Sequence, residues 1–439
     1  MHVVIIGAGW AGLAAAIELS RADMRITLIE AAEQAGGRAR RVAARGMSFD
    51  NGQHLMMGAY GEMLRLLRDI RMPEEHLFHR RRLRLEMRSP QQSTVCLAFP
   101  ALPAPWHVVT GFINASGLGW AERYRALALC TQLLFSGFKL KRDVSVAEWL
   151  QGCKQPSSLI KALWEPLCLA TLNTPLQQAS AQVFVHVLHE VFAGRRSDSD
   201  MLFPLTDLGG VFPDPAVRYV LAQGGKTLFG ERVLGLDIRD GRIYGVSTRR
   251  SEIKADRVIV AASPSECLRL IEPHAPLSDL ARQLAALRYE PICTVYLQYP
   301  SETRLGSEMI GLLDGTGQWI LDLGAAGQPG RMAVVISGPG PHMAWDNETL
   351  IARIRKQLLQ HFPQWPEPSD VLVIREKRAT FCCHAGIEVQ RPAARTALQG
   401  LWLAGDYTDT GLPATLEGAL RSGVRCAREI IRESPAGTD

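Results

Sequence analysis

Residues 2–30, HVVIIGAGWAGLAAAIELSRADMRITLIE, decide the fold. His2 to Gly7 is a short apolar run of strand type, and Gly7, Gly9 and Gly12 then spell G-x-G-x-x-G. Leu13 to Leu19 follows with helical character, and a second apolar run, Ile26 to Ile29, ends in Glu30. Strand, glycine turn, helix, strand and acid in this order form the dinucleotide-binding fingerprint in the setting that gives it meaning. Gly7 makes the tight turn, Gly9 lets a pyrophosphate approach the backbone, and Gly12 lets the helix lie on the sheet. The open amides at the helix start would hold phosphates, and Glu30 would accept from ribose hydroxyls.

Working outward, Gly36-Gly37-Arg38 is a second glycine turn with a cation beside it. Alone it reads as a surface turn; its place just after Glu30 points back to the same phosphates. In Phe49 to His54 (FDNGQH) Gly52 sits among polar side chains, as a loop passing close to a flat ring requires. A helix is expected from about Glu62 to Asp69. Near the other terminus, Leu401 to Ala404 reads as a strand ending in Gly405-Asp406, and a helix is expected from Pro413, a residue suited to a first turn, to about Glu433. Asp406 at a strand's carboxyl end lies where doubly wound folds bind ligands, a simple helix cap being the plainer role. Glu417 would favour that helix's first turn.

Between these ends the character changes twice. Residues 99–193 are apolar and helical in pattern, with Trp106, Trp120, Trp149 and Trp164. ALALCTQLLFSGF, between Arg125 and Lys139, is too short to span a bilayer. It reads first as a buried core helix and second as a helix lying in a membrane interface. From Asp214 the pattern returns to α/β, with strands at Val233 to Ile238, Ile243 to Thr248 and Asp256 to Ala261. Residues 291–381 carry short alternating strands and a helix at Asn347 to Gln360, a separate and mostly antiparallel sheet. Arg80, Arg81, Arg82 and Arg84 form a basic cluster, either a solvated strand or an attraction to anionic lipid.

With 439 residues, two domains are expected. A composition of 47% hydrophobic and 21% charged residues is that of a globular protein, and a net charge of +5 points to no nucleic acid. Nine scattered cysteines, without C-x-x-C or zinc spacing, suit a reducing compartment and leave no expected metal site. The first strand begins at residue 2, so no signal peptide is expected, and no run is long enough for a membrane span.

Taken together, GAGWAG with Glu30, then Gly36-Gly37-Arg38, then LAGDYTDTGLPATLEGALRSG (residues 403–423) resemble the flavin-containing amine oxidase and phytoene desaturase superfamily from end to end. The resemblance implies an α/β fold: a Rossmann-type FAD-binding domain from residues 1–75, 205–285 and 395–439, with an inserted α+β substrate domain from 76–204 and 286–394. It implies FAD as cofactor. Gly7, Gly9, Gly12, Glu30, Gly37 and Arg38 match the ADP-binding part, and Val233 matches the residue whose backbone meets adenine. Gly405, Asp406 and Leu416 match the C-terminal pyrophosphate and flavin-ring motif, and Gly52 lies in the loop expected at the ring.

Within the superfamily, FDNGQHLMMGAY (49–60), LWEPLCLATLNTPLQQASAQVF (163–184) and KRATF (377–381) resemble the hydroxysqualene dehydroxylases of bacterial hopanoid biosynthesis. That likeness implies a hydrophobic C30 isoprenoid substrate whose allylic hydroxyl is replaced by hydride from reduced flavin, and a separate, unidentified electron donor. It implies a cytoplasmic enzyme with peripheral membrane contact. His54 is the candidate acid or hydrogen-bond donor; the plainer role is to fix its loop or touch flavin through its backbone. Desaturation of a polyprenyl chain is the first rival, amine oxidation the second, and a non-catalytic binding protein, like relatives that bind prenylated proteins without flavin chemistry, the third.

Overall fold

The computed structural model describes residues 1–433. His2–Ile6, Trp10–Arg21 and Arg25–Ile29 form the expected strand, helix and strand. The helix buries nearly every side chain, because it lies between the sheet and the C-terminal helix Leu416–Glu433. The first strand pairs in parallel with Arg25–Ile29 on one side and Arg257–Val260 on the other. Lys226–Leu228 and Leu401–Leu403 complete a five-stranded parallel sheet. Such a sheet, covered on both faces, needs strands apolar on both faces, and Val3, Ile5, Val258, Ile259 and Leu403 are wholly buried.

A second sheet of seven strands runs in the order 370–381, 289–298, 331–337, 319–322, 309–312, 84–88, 95–98. Its pairs are antiparallel except for one parallel junction, Gly311 beside Met87. Helix Asn347–His361 packs against this sheet through Leu350, Ile354 and Leu358. Helices from 106 to 192, one turn of which (Ile160–Trp164) is π-helical, cover the other part of the chain's largest core. The parallel sheet gathers strands from three separated stretches of chain. On that topology we propose the division into a discontinuous cofactor domain (1–75, 205–285 and 395–439, the last six residues lying outside the described residues) and a substrate domain (76–204, 286–394).

Two expectations of local structure change. The C-terminal helix begins at Leu416 and not at Pro413, and the Thr415 hydroxyl caps it by accepting from the Gly418 amide at 3.0 Å. A threonine side chain can satisfy a free first-turn amide, which a proline cannot. The segment expected as a buried core helix is the helix Trp120–Phe135, which buries only Ala126, Leu129 and Leu133. Its opposite face is open to solvent, because the apolar residues number more than one face can bury.

Among the described residues no helix is long and apolar enough to cross a membrane. Arg80 is held by Glu74 and Asp200, Arg81 by Glu308 and Arg84 by Glu86. Arg82 is exposed and, among the described residues, has no ion-pair partner. The cluster is thus largely an ion-paired strand edge.

Candidate functional site

A cavity of about 630 Å³ runs between the two sheets and contacts both ends of the chain. Gly7, Gly9, Glu30, Gly37, Arg38, Gly52, His54, Val233, Gly405, Asp406 and Leu416 all lie on its wall. Gly12 does not; it works one layer behind. A Cβ on Gly12 would sit 2.0 Å from the Gly7 carbonyl oxygen, so glycine here allows the helix to close on the turn. Gly7 has φ +107°, and a Cβ there would meet the Ala261 carbonyl at 2.6 Å. Gly9 differs: its nearest protein neighbour would be Gly37 Cα at 3.9 Å. The space over Gly9 is a cradle open to a ligand, and Gly36 bridges to it from the second turn.

Glu30 accepts the Ala8 amide at 2.7 Å and the Ala32 amide at 2.9 Å, which fix its carboxylate at the strand end with lone pairs to spare. Arg38 donates to Asp406 at 2.5 Å and to the Ala379 carbonyl at 2.7 Å. This ion pair joins residues 368 positions apart, so the N-terminal turn and the C-terminal motif build one wall. Arg391, fully buried, donates to the carbonyls of Asp406, Thr408 and Leu412 and holds the C-terminal loop. Among the described residues the buried Glu231 Oε1 and Trp319 Nε1 atoms lack a protein partner, and both residues line the cavity, as expected where a polar ligand binds.

Beyond the glycine turns the wall becomes apolar. Leu83, Leu85, Leu167, Phe184, Leu188, Phe192, Met309 and Leu321 line it. At the junction stands the loop Gly52 to Leu55. The His54 Nδ1 lies 2.9 Å from the Gly52 carbonyl. A carbonyl only accepts, so Nδ1 carries the proton and a neutral ring keeps Nε2 as an acceptor. Burial, with the nearby Arg38 charge, lowers the His54 pKa against the opposing Gly52 bond.

A second polar group on this wall was not found in the sequence. Arg421 donates to Glu190 at 2.6 Å and to Glu417 at 2.8 Å. His186 donates from Nδ1 to the Gly411 carbonyl at 2.7 Å and lies 3.3 Å from Glu190 through Nε2. With acceptors at both nitrogens its pKa rises, mainly through Glu190, whose own carboxyl is drawn down to about 2, mainly by His186. Glu417 is 1% exposed and accepts the Glu62 and Met63 amides, so it caps the helix Gly61–Asp69 and not its own. Glu190 and His186 could have drawn notice only as a carboxylate four residues beyond a histidine on one helix. Among the described residues no group of three His, Cys, Asp or Glu side chains is placed to hold a metal.

The profile of the family described as "Flavin containing amine oxidoreductase" matches residues 10–431. A hydroxysqualene dehydroxylase of Zymomonas mobilis is 28% identical, with 98% of this chain and 99% of that protein covered. A zeta-carotene desaturase of Capsicum annuum is 24% identical over 98% of this chain and 81% of its own. The crystal structure of an oxidoreductase from Methanosarcina mazei superposes with a TM-score of 0.77 at 18% identity, covering 98% of this chain and 100% of its own.

The residues fit FAD: an open glycine cradle at Gly9, the Glu30 carboxylate with lone pairs to spare and the Arg38–Asp406 pair all line one cavity. FAD is the cofactor and the protein is an FAD-dependent oxidoreductase. With a match over all but the first nine and last eight of its residues, the chain belongs to the flavin-containing amine oxidoreductase family.

Proposed function

We propose that the protein converts hydroxysqualene to squalene, replacing an allylic hydroxyl by hydride. The carrying observation is the joined cavity: a cofactor cradle that opens, past the Gly52–Leu55 loop, into walls of leucine, phenylalanine and methionine. An isoprenoid fits such walls; a polar amine gains little from them. The likeness to dehydroxylases along the whole chain supports the same choice. Bound and reduced, FAD supplies the hydride. The reaction R–OH + H⁺ + H⁻ → R–H + H₂O also needs a proton at the departing oxygen and a dry site for the allylic cation.

The apolar wall excludes water and positions the chain. His54 is our candidate for handling the proton at the hydroxyl. Its neutral form accepts, so as an acid it must first bind a second proton at Nε2. Because its pKa is lowered, that form is fully present only below the ordinary value and disappears as pH rises. The Glu190–Arg421 pair is the other polar group on the wall able to hold the oxygen. We further propose a cytoplasmic enzyme reduced by a separate donor.

The test is anaerobic. Reduced holoenzyme is mixed with hydroxysqualene, and flavin reoxidation is followed with squalene by mass spectrometry. Squalene stoichiometric with reoxidation is expected, with a single-turnover rate that falls as pH rises through the His54 range. Turnover unchanged in His54→Ala would end that residue's role. Similarity to the carotene desaturase supports a second reading, hydride removal from a polyprenyl chain. Reduction of oxidised flavin by such a substrate, with no squalene formed, would favour it.

A further inference from the structure

Among the described residues, half of the exposed large apolar side chains, seven of 14, fall between residues 102 and 135. They are not scattered there. On the helix Trp120–Phe135, at ~100° per residue, Trp120, Tyr124, Ala128, Thr131, Leu134 and Phe135 share an arc of ~120°. The buried Ala126, Leu129 and Leu133 lie on the opposite side. Trp120 is 74% exposed, Tyr124 67% and Phe135 89%. The helix thus has two apolar faces, of which the core uses one. The neighbouring helix Trp106–Ile113 repeats the pattern: Trp106 and Ile113, two turns apart, are exposed while His107, Val108 and Phe112 are buried. Among the described residues nothing covers either face. Contiguous exposed apolar surface of this kind marks an interaction site.

We propose that these two helices form a docking face for an anionic lipid bilayer, with their aromatic side chains at the level of the headgroups. Three observations select a membrane. Trp106, Trp120 and Tyr124, amphipathic rings, are half of the exposed large side chains on the two helices, and such rings are enriched at membrane–water boundaries. From residue 123 to 142 the chain holds Arg123, Arg125, Lys139, Lys141 and Arg142 and no acid, and the last three are exposed. Arg123 lies over the Trp120 ring at 4.7 Å, so charge and aromatic reach the surface together. A second copy docked on the same face would set these cations against their own kind, whereas anionic headgroups complement them. The Arg80–Arg84 cluster, which the sequence alone puts forward, has spent most of its charge on Glu74, Asp200, Glu308 and Glu86.

The face also stands one layer from the cavity. His107, beneath Trp106, packs at 6.3 Å against Phe192, and Phe192 lines the apolar wall. The face's purpose, delivery of a water-insoluble isoprenoid from the bilayer, rests on the proposed function; its existence does not.

Flotation of the FAD-loaded protein with vesicles of phosphatidylcholine, with and without about one third phosphatidylglycerol, tests the proposal. The protein is expected to float with the anionic vesicles. Trp120→Ser combined with Phe135→Ser should weaken that binding at least tenfold with flavin content and melting temperature unchanged. Lys139→Glu combined with Lys141→Glu should remove the preference for anionic lipid, and Arg81→Glu with Arg84→Glu should leave it intact. Failure of the unaltered protein to float, or equal flotation of the Trp120/Phe135 variant, overturns the proposal. So does a dimer in light scattering that the same substitution dissociates. Turnover is read separately on detergent-dispersed hydroxysqualene: its absence refutes the proposed reaction and leaves the flotation result to decide the face.

Discussion

At the residue scale, three glycines of one motif do different work, and the difference can be measured. Gly9 has φ −72°, a conformation any residue adopts, and a Cβ there meets no protein atom nearer than 3.9 Å. Gly9→Ala should therefore fold with an unchanged melting temperature in the absence of cofactor, yet purify without colour, because the methyl occupies the pyrophosphate's approach. Gly12→Ala forces a Cβ to 2.0 Å from a backbone oxygen that cannot swing away. Overpacking at such a point should cost about 3 kcal/mol or more and should appear in urea unfolding of the apoprotein. Equal loss of stability in the two variants would contradict the division of roles.

At the element scale, the C-terminal helix is held by a partner that its own sequence does not disclose. Glu417 receives two amides of the helix Gly61–Asp69, and Arg421 one turn later links it to Glu190 on a third helix. Burial pushes the Glu417 carboxyl above its ordinary value against the pull of Arg421. Glu417→Ala would leave one buried and one half-buried donor unpaired and Arg421 with one partner fewer. A loss of about 2–4 kcal/mol is expected. Glu417→Gln, which returns one acceptor, should lose less. Denaturant unfolding of both variants checks the order, and an alanine variant as stable as the parent would show the contact to be incidental.

At the scale of the whole molecule, the cavity in which we place the cofactor is a seam between the two ends of the chain. Arg38 and Asp406 meet across it, and Gly9, Gly37 and Leu416 share one cavity wall. A ligand that binds only the closed arrangement stabilises every segment that builds it. Removal of FAD should therefore increase hydrogen exchange in residues 36–40 and 405–416 together. Change in the N-terminal segment alone would mean that the C-terminal motif does not share the site.

What the residues themselves determined is the cofactor half. Its signals are local: glycines fixed by turn geometry, an acid at a strand end, apolar runs with strand and helix periods, all within a few tens of residues at each terminus. The apolar runs in residues 291–381 likewise disclosed four of the second sheet's seven strands, although most of these are buried nearly throughout and not on alternate residues. Tertiary structure decided what depends on distant neighbours. It placed Glu417 under another helix, paired the Arg80–Arg84 cluster with acids from as far away as Glu308, and brought Glu190 and Arg421 together on the cavity wall with His186 behind them. It also left one apolar face of Trp120–Phe135 uncovered. Periodicity tells that a face is apolar; whether protein, solvent or a membrane meets it is set by the surface left over after the core has closed.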